Sequence, residues 1–315
     1  MDELKPIDLK SILHSKRANM YYLEHCRVMV NKGRVEYVTE EGNRNLYFNI
    51  PIANTTFILL GTGTSVTQAA VREFSKAGVL IGFCGSNGSP LFSCNDYDDP
   101  IEWIAPVSEY RPTSYIQEWI KIFYDDDRRF EVAKQFQKNR ILYIHEQYAL
   151  IEDFEFSNLE LNEILSVFSE GIDKSENTQE LLLAEARVTK SLYKLISTAT
   201  ISEKFKRERN SSDQDLANRF LDHGNYLAYG IAATAAWVLG LPFALAVLHG
   251  KTRRGALVFD LADLIKDAIV LPTAFICAQK GYKDTVFREI CMRKLKQANA
   301  MDYIIDNIKA ATSGQ

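Results

Sequence analysis

The chain has 315 residues, of which 46% are hydrophobic and 25% charged, and its formal net charge at pH 7 is −4. These values are typical of a soluble globular protein with one large or two ordinary domains, and the slight acidity argues against a uniformly basic nucleic-acid binder. The five cysteines include no C-x-x-C pair, which favours unpaired thiols in a reducing compartment over a disulfide scaffold or a structural zinc cluster. Because the charged start lacks the apolar run of a signal peptide, we expect a cytoplasmic protein.

The first hundred residues show the pattern of a β-rich domain. Runs at 26–30 and 34–38 flank an Asn-Lys-Gly turn, which is a hairpin signal. Helical periodicity over 64–77 predicts one helix that ends at Gly78. Further β-rich runs, separated in part by a loop at 85–90, predict strands at 46–50, 56–60, 79–83 and 91–94. We therefore predict a β-rich N-terminal domain over 1–100.

A glycine-rich segment inside this domain resembles a nucleotide-binding loop. It reads Gly61-Thr-Gly-Thr-Ser and lies between a predicted strand and a predicted helix. Val66 occupies the place of the third glycine in the dinucleotide fingerprint, and no Gly-Lys-Ser/Thr of a P-loop is present. A glycine turn followed by a Thr or Ser helix cap accounts for the segment, so we assign no nucleotide site to it.

Prolines and acids mark a change of character after residue 95. They predict an interdomain linker, which we place at 101–112. From 113 to 315 apolar residues recur at helical spacing, which predicts an all-α C-terminal domain and an α+β protein overall. The predicted helices span 114–124, 127–150, 159–171, 179–198, 218–240, 255–280 and 283–311.

The segment 224–248 carries no charged residue, and its length alone permits a membrane span. Gly240-Leu-Pro242 should break it into a longer and a shorter helix. Tyr226, Tyr229 and many alanines are typical of a helix packed closely in a protein core. We therefore favour a central helix whose C-terminal extension carries His249 to a functional site.

The segment 249–267 combines the residue types that act on phosphate. Its histidine is followed by three cations within four residues: Lys251, Arg253 and Arg254. At ~100° per residue, Asp260, Asp263 and Asp267 fall within about a sixth of a turn along the edge of an apolar stripe. Such partly desolvated carboxylates need a donor, a cation or a metal. A helix cap with a first-turn acid also accounts for Asp260 and Asp263, and a core histidine for His249.

The position of Glu185 indicates a buried carboxylate in need of a partner even more strongly. It lies in the middle of the apolar stripe of the predicted helix 179–198, whereas Arg187, Lys190 and Lys194 face the opposite side. An acid on an apolar face is costly to bury unless it is paired or bound to a metal. A structural salt bridge to an arginine stays open as an alternative.

Glu185, His249 and Asp263, with Asp260 beside them, therefore form a candidate oxygen-plus-imidazole site. Hard carboxylates with one imidazole suit Mg²⁺ or Mn²⁺, whereas zinc more usually recruits further histidine or cysteine ligands. The spacing of these residues matches no general metal motif, so the residues alone indicate a divalent metal without identifying the protein.

Several segments resemble the CRISPR-associated integrase of the adaptation module. They are LLxEARxxKSLYK around Glu185, NRFLDHGNYLAYG at 218–230 and GLPxxLAVLHGKTRRGALVFDLADLIKD at 240–267. ILHSKRANMYYLEHCRV at 12–28 and IPIANTTFILLGTGTSVTQAA at 50–70 are similar to the type I-F branch in particular. The resemblance covers essentially the whole chain.

The resemblance implies an N-terminal domain that dimerises and a helical domain that carries the active site. It implies that Glu185, His249 and Asp263 are metal ligands and that Asp260 is a supporting acid, so that all four are catalytic. The implied partners are double-stranded DNA, as spacer precursor and CRISPR repeat, a second copy of the chain in a homodimer, and a second adaptation protein. In the type I-F branch that second protein is fused to a helicase-nuclease. No membrane partner is expected.

The predicted activity is insertion of short DNA duplexes into a CRISPR array. The 3′-hydroxyl of the spacer DNA would attack a phosphodiester in a metal-dependent transesterification, and water in its place would make the site an endonuclease. Candidate DNA contacts are Arg187, Lys190, Asn225, Tyr226, Lys251, Arg253 and Arg254. The alternative for each cation is an exposed, solvated charge without a DNA contact. The alternative for Asn225 and Tyr226 is that they satisfy polar groups in the protein core. A metal-dependent nuclease with no integration role and a non-catalytic DNA-binding scaffold are the alternative functions.

Overall fold

The computed structural model of the protein describes residues 13–41, 44–84, 101–106, 112–201, 205–208, 215–250 and 255–313. The described residues up to 106 belong to a first compact unit, and those from 112 onward belong to a second. The first unit is β-rich and the second is helical, which confirms the predicted α+β class. The predicted loop at 85–90 and strand at 91–94 lie outside the described residues.

The first unit contains two sheets among its described residues. One has the order β1-β5-β7-β8, parallel except for the last strand, and consists of β1 (Asn19–Leu23), β5 (Thr55–Leu60), β7 (Leu80–Cys84) and β8 (Ile101–Ile104). The other has the order β4-β3-β2-β6 and consists of β2 (Arg27–Asn31), β3 (Arg34–Glu41), β4 (Arg44–Asn49) and β6 (Ser65–Val66). All six residues of β5 are buried, as expected of a central parallel strand. Helix α1 (Gln68–Lys76) follows β6.

The predicted hairpin is confirmed, because β2 pairs antiparallel with β3 through a turn in which Lys32 and Gly33 both have positive φ. The predicted start of the helix over 64–77 is wrong. Residues 65 and 66 pair with β2, and the helix begins only after Thr67, whose side chain accepts a hydrogen bond from the Ala70 amide.

The predicted linker over 101–112 is wrong in its first four residues. Ile101-Glu-Trp-Ile has strand-like alternation, and its backbone pairs antiparallel with residues 81–84 to form β8. Pro106 follows the end of this strand by two residues. Strand β1, which the sequence reasoning did not identify, pairs with β5 in the same sheet.

The second unit is a packed set of helices. In chain order they are α2 (Ser114–Tyr124), α3 (Asp126–Tyr148), α4 (Asn158–Lys174), α5 (Thr178–Thr200), α6 (Leu216–Val238), α7 (Ala256–Ile265), α8 (Leu271–Gln279), α9 (Asp284–Gln297) and α10 (Ala300–Thr312). A π turn at Lys266–Val270 joins α7 to α8, so the predicted helix 255–280 is a single rod with one irregular turn. The predicted helix 283–311 is instead two helices, because Asn299 adopts a left-handed conformation with φ 51°.

Helix α6 lies at the centre of this unit. Seventeen of its residues are buried, from Ala217 to Trp237. At Gly224 an added Cβ would lie 2.4 Å from Val270 Cγ1, so the absent side chain lets α6 approach the π turn closely. None of the described helices combines the length and the apolar character that crossing a bilayer requires. The core-helix interpretation of this segment is therefore confirmed over α6.

The prediction that this segment extends as a helix toward His249 is wrong. Helix α6 ends at Val238, and Gly240 has φ +74°, a conformation that glycine adopts without strain. Residues 239–250 then follow an irregular path rather than a second helix. His249 is therefore presented by a non-helical segment.

Candidate metal centre

Helix α7 carries two of the predicted acids into the interior. All ten of its residues are buried, including Asp260 at 4% and Asp263 at 1% exposure. The N-cap position of the helix is Gly255, five residues before Asp260. Neither acid therefore caps the helix, and the capping alternative for Asp260 and Asp263 is wrong.

Asp260 organises the irregular segment that precedes α7. Its Oδ2 accepts hydrogen bonds from the amides of Val247 at 2.6 Å and Leu248 at 3.0 Å. Its Oδ1 accepts one from the amide of His249 at 2.9 Å and lies 2.7 Å from the Nδ1 of the same residue. Because a carboxylate oxygen can only accept, Nδ1 carries a proton, and Nε2 is the ring atom that becomes free to bind a metal once the imidazole is neutral.

The free nitrogen of His249 faces two other predicted ligands. Its Nε2 lies 3.8 Å from Asp263 Oδ2 and 4.0 Å from Glu185 Oε2. Helix α5 supplies Glu185, whose side chain is 12% exposed. One ligand atom from each of these three residues lies within 4.8 Å of the others. Side chains 64 and 14 residues apart along the chain therefore meet at one point.

The salt bridge weighed as an alternative for Glu185 is also present. Arg140 on α3 contacts Glu185 Oε1 at 3.1 Å through Nη1, and its side chain is 1% exposed. The same guanidinium pairs with Asp267 in the π turn. Glu185 thus has one oxygen in an ion pair and the other directed toward His249, so the two interpretations are compatible.

The residues at this point fit a divalent metal ion. Two carboxylates and one imidazole are the donor set that Mg²⁺ and Mn²⁺ accept. Asp263 Oδ2 is buried and accepts no hydrogen bond from any of the described residues. A buried carboxylate oxygen without a donor is destabilised unless a cation lies near it. The three residues are therefore a candidate site for a divalent metal ion.

The charges around the centre shift the pKa values of its members. Burial by itself would lower the pKa of His249, but the hydrogen bond to Asp260 and the negative charges of Asp263 and Glu185 raise it to about 9. Burial would raise the pKa of Asp263, yet the charges of Lys266, His249 and Arg140 lower it to about 2. Burial and the charge of Asp263 raise the pKa of Glu185. Metal binding at this site therefore requires His249 to release its proton.

The predicted DNA contacts fall into three groups. Arg187 and Lys190 are exposed on α5, on the side opposite its buried stripe. Asn225 is half-buried on α6, and Tyr226 is 3% exposed with its ring edge-on to Tyr229, which favours the core alternative for Tyr226. The remaining three predicted contacts, Lys251, Arg253 and Arg254, lie outside the described residues.

Two cations at the centre were not identified from the sequence. Lys266 lies one helical turn after Asp263 and forms an ion pair with its Oδ1. Arg140 occupies a position in the buried stripe of α3, between Phe136 and Tyr143. The periodicity argument that singled out Glu185 on its apolar stripe applies equally to Arg140 and would have found it.

The fold and the site define a protein of two units, β-rich and helical, with a carboxylate–imidazole centre suited to a divalent metal in the helical unit. Residues 21–291 match the model of the family described as CRISPR associated protein Cas1. The chain therefore belongs to the Cas1 family, which confirms the resemblance seen in the sequence. Membership of the type I-F branch stays a prediction.

Two relatives and one solved structure are consistent with the family assignment. The chain is 53% identical to the CRISPR-associated endonuclease Cas1 of Pectobacterium atrosepticum, over 98% of this chain and 96% of the relative. It is 52% identical to the protein of the same name from Pseudomonas aeruginosa, over 98% of this chain and 97% of the relative. The solved structure of a TtCas1–DNA complex is 20% identical and has a TM-score of 0.68, covering 94% of this chain and 92% of that one, which shows a shared fold.

Proposed function

We propose that the chain is a metal-dependent DNA endonuclease and integrase, which inserts spacer DNA into a CRISPR array. The observation that carries the proposal is the convergence of Glu185, His249 and Asp263 on one point in a chain of the Cas1 family. The nuclease part is supported by the two relatives, both of which are named CRISPR-associated endonucleases. A DNA substrate is supported by the DNA complex of a protein that shares the fold.

The residues of the centre hold and orient the ligand atoms. Glu185 Oε2, His249 Nε2 and Asp263 Oδ2 would bind the ion, and Asp260 fixes the ring of His249 with Nε2 directed inward. When bound, Mg²⁺ or Mn²⁺ supplies a Lewis acid for phosphodiester chemistry. Positioning and charge neutralisation supply most of the catalysis in phosphoryl transfer, which suits a site of so few side chains.

The proposed step exchanges one phosphodiester for another. The 3′-hydroxyl oxygen of the spacer DNA forms a bond to the target phosphorus, and the bond from that phosphorus to the departing 3′ oxygen of the array breaks. The proton of the attacking hydroxyl ends on the departing oxygen, so the product strand has a free 3′-hydroxyl. Attack by water at the same phosphorus is hydrolysis, which is the endonuclease reaction.

Exposed cations on the helix that supplies Glu185 are proposed to hold the DNA backbone. Arg187 and Lys190 lie on the helix that supplies Glu185, two and five residues further along the chain. The wider assembly we propose is a homodimer formed through the N-terminal unit, together with the second adaptation protein fused to a helicase-nuclease. We base this proposed assembly on the family assignment and on the predicted type I-F branch.

The test is a strand-transfer assay on a supercoiled plasmid that carries CRISPR repeats, with Mg²⁺ or Mn²⁺, with and without the second adaptation protein. His249→Ala and Asp263→Ala should each abolish transfer while the circular dichroism spectrum is unchanged. His145→Ala, which removes an exposed histidine of α3, is the matched control and should transfer normally. Strand transfer by both site variants would reject the proposed centre.

Donor DNA with blocked 3′ ends separates integration from simple cleavage. An integrase should join only donors with a free 3′-hydroxyl, whereas a nuclease without an integration role should nick the plasmid equally with either donor.

A non-catalytic scaffold is favoured by one observation, the ion pair of Glu185 with Arg140. For a scaffold, titration calorimetry with Mn²⁺ should show no binding, and replacement of Glu185 should lower only stability.

A further inference from the structure

The three residues of the centre share one arrangement. Each has one polar atom directed to the common point and its other polar atom held by a further side chain. The pairs are His249 with Asp260, Asp263 with Lys266, and Glu185 with Arg140. Such supporting contacts fix the orientation of ligand side chains and tune the affinity of metal sites. Of the three supporting residues, Arg140 is the one that links the most elements of the fold.

Arg140 joins two helices and the π turn. Its Nη1 contacts Glu185 Oε1 on α5 at 3.1 Å, and its Nη2 donates to Thr189 Oγ1 on the same helix at 3.1 Å. The same Nη2 pairs with Asp267 in the π turn, and Nη1 donates to Gln137 on its own helix at 3.0 Å. A planar guanidinium can make these contacts together because its donors lie in a rigid fork.

Arg140 has a counterion other than Glu185, so its positive charge does not depend on Glu185 for compensation. A lone cation this close to a metal would oppose metal binding through repulsion. Asp267 is buried at 3% exposure and forms the second ion pair of Arg140, so the two together carry no net charge. The pair can therefore hold Glu185 in place and leave the negative charge of Glu185 available.

We propose that Arg140, neutralised by Asp267, is a positioning residue that holds Glu185 Oε1 so that Oε2 faces His249 Nε2. This proposal rests on the proposed function, because it requires Glu185 to be a metal ligand. The competing interpretation is that the Arg140–Asp267 pair only stabilises the contact of α3 with the π turn. In that case its removal changes stability and leaves metal binding as it was.

The decisive variant removes both partners together. Arg140→Met with Asp267→Asn deletes one positive and one negative charge, so the net charge beside the centre is unchanged. Replacing a buried ion pair by uncharged residues is often neutral for stability, whereas removing one partner leaves an uncompensated charge. The matched control is Lys138→Met with Asp173→Asn, which deletes an exposed pair of 2.8 Å between α3 and α4.

The measurement uses the full-length protein and Mn²⁺ alone, by titration calorimetry and by electron paramagnetic resonance at saturation. The pair-deleted variant should bind Mn²⁺ about 10- to 100-fold more weakly, and its Mn²⁺ spectrum should match that of Glu185→Gln. The control pair should keep the wild-type affinity and spectrum. A folded pair-deleted variant with wild-type affinity and spectrum would overturn the inference.

A second variant covers the case in which the pair-deleted protein does not fold. Arg140→Lys keeps the charge and most of the volume, but a single ammonium cannot span Glu185 and Asp267 as the fork does. It should bind Mn²⁺ about tenfold more weakly or worse, and wild-type affinity in this variant overturns the inference. Absence of Mn²⁺ binding by the wild-type protein instead rejects the proposed function itself, so the two failures are distinguishable.

Discussion

Asp260 accepts hydrogen bonds from both the backbone and the ring of His249, with Oδ1 lying 2.9 Å from the amide nitrogen and 2.7 Å from Nδ1. One carboxylate therefore sets the conformation of the chain at His249 and the tautomer of its ring. The other carboxylate oxygen, Oδ2, accepts hydrogen bonds from the amides of Val247 and Leu248. This relationship explains how a segment without regular structure can present a ligand accurately.

Asp260→Asn should weaken both the fold and the centre. The amide group offers one acceptor oxygen in place of two, so some of the buried amides of 247–249 lose their partner, at about 1–3 kcal/mol for each. Loss of the ring contact should lower Mn²⁺ affinity about 10- to 100-fold. Urea unfolding and titration calorimetry measure the two effects. Asp173→Asn, at an exposed acid, is the control, and wild-type Mn²⁺ affinity in Asp260→Asn would contradict this role.

Helical periodicity was enough to predict that the acids of the candidate centre are directed inward. Glu185 lies on an apolar stripe and Asp263 lies at the edge of one, and residues at such positions are directed inward whatever the details of the fold. The α7 helix is buried on all sides, whereas its periodicity predicted only an apolar stripe with acids along one edge. The N-terminal hairpin was predictable for the same kind of reason, because its turn residues act locally.

What the sequence did not predict depends on contacts between distant residues. The path of residues 247–249 is held by the side chain of Asp260, which lies on a later helix, rather than by local propensity. The π turn at Lys266–Val270 contains no residue type that would indicate its position in the sequence. At Asn299 the sequence carries a residue that tolerates the left-handed conformation, but the continuous periodicity on either side concealed the break between α9 and α10.

Gly224→Ala should destabilise the helical unit, although alanine in a helix is normally favoured over glycine by about 1 kcal/mol. The new methyl group would lie 2.4 Å from Val270 Cγ1 and 3.1 Å from Phe287 Cζ, so it overpacks the contact of α6 with the π turn. Overpacking of this kind costs about 1–3 kcal/mol. Urea unfolding followed by tryptophan fluorescence, to which the buried Trp119 and Trp237 of the helical unit contribute, measures the change.

Val270→Ala tests the cause of that loss. It removes the methyl group that the new side chain meets, so the double variant should be more stable than the sum of the two single changes predicts. Strict additivity would show that the effect of Gly224→Ala does not arise from this contact.

Lys190→Gln should weaken DNA binding equally for all sequences and lower its salt dependence. A cation that neutralises one phosphate contributes about one to the slope of log K against log salt concentration. Lys190 is exposed on α5, whose buried side supplies Glu185. Fluorescence anisotropy at several salt concentrations gives the slope. Lys174→Gln, at an exposed lysine of α4, is the control, and an unchanged slope for Lys190→Gln would remove this residue from the DNA surface.

His14 should make the stability of the N-terminal unit depend on pH. Its Nε2 lies 2.8 Å from the carbonyl oxygen of Gly78, which can only accept, so this nitrogen carries a proton. Burial, assisted by the charge of Arg17, lowers the pKa of His14 below its ordinary value of 6.5, and the bond to Gly78 opposes this only in part. The unfolded chain therefore binds more protons than the folded one as the pH falls below that value.

The contribution of His14 to the free energy of unfolding should accordingly be fully present above pH 6.5. It should be lost as the pH falls through and below that value, because the histidine of the unfolded chain is protonated first. His14→Gln removes the titrating group and keeps an N–H for the carbonyl of Gly78, so it should flatten the decline. Hydrogen exchange of β5 and β7 at several pH values, corrected for intrinsic rates, measures the free energy of opening. His145→Gln, at an exposed histidine of the other unit, should leave the decline unchanged. If His14→Gln shows the wild-type decline, another group must bind the protons.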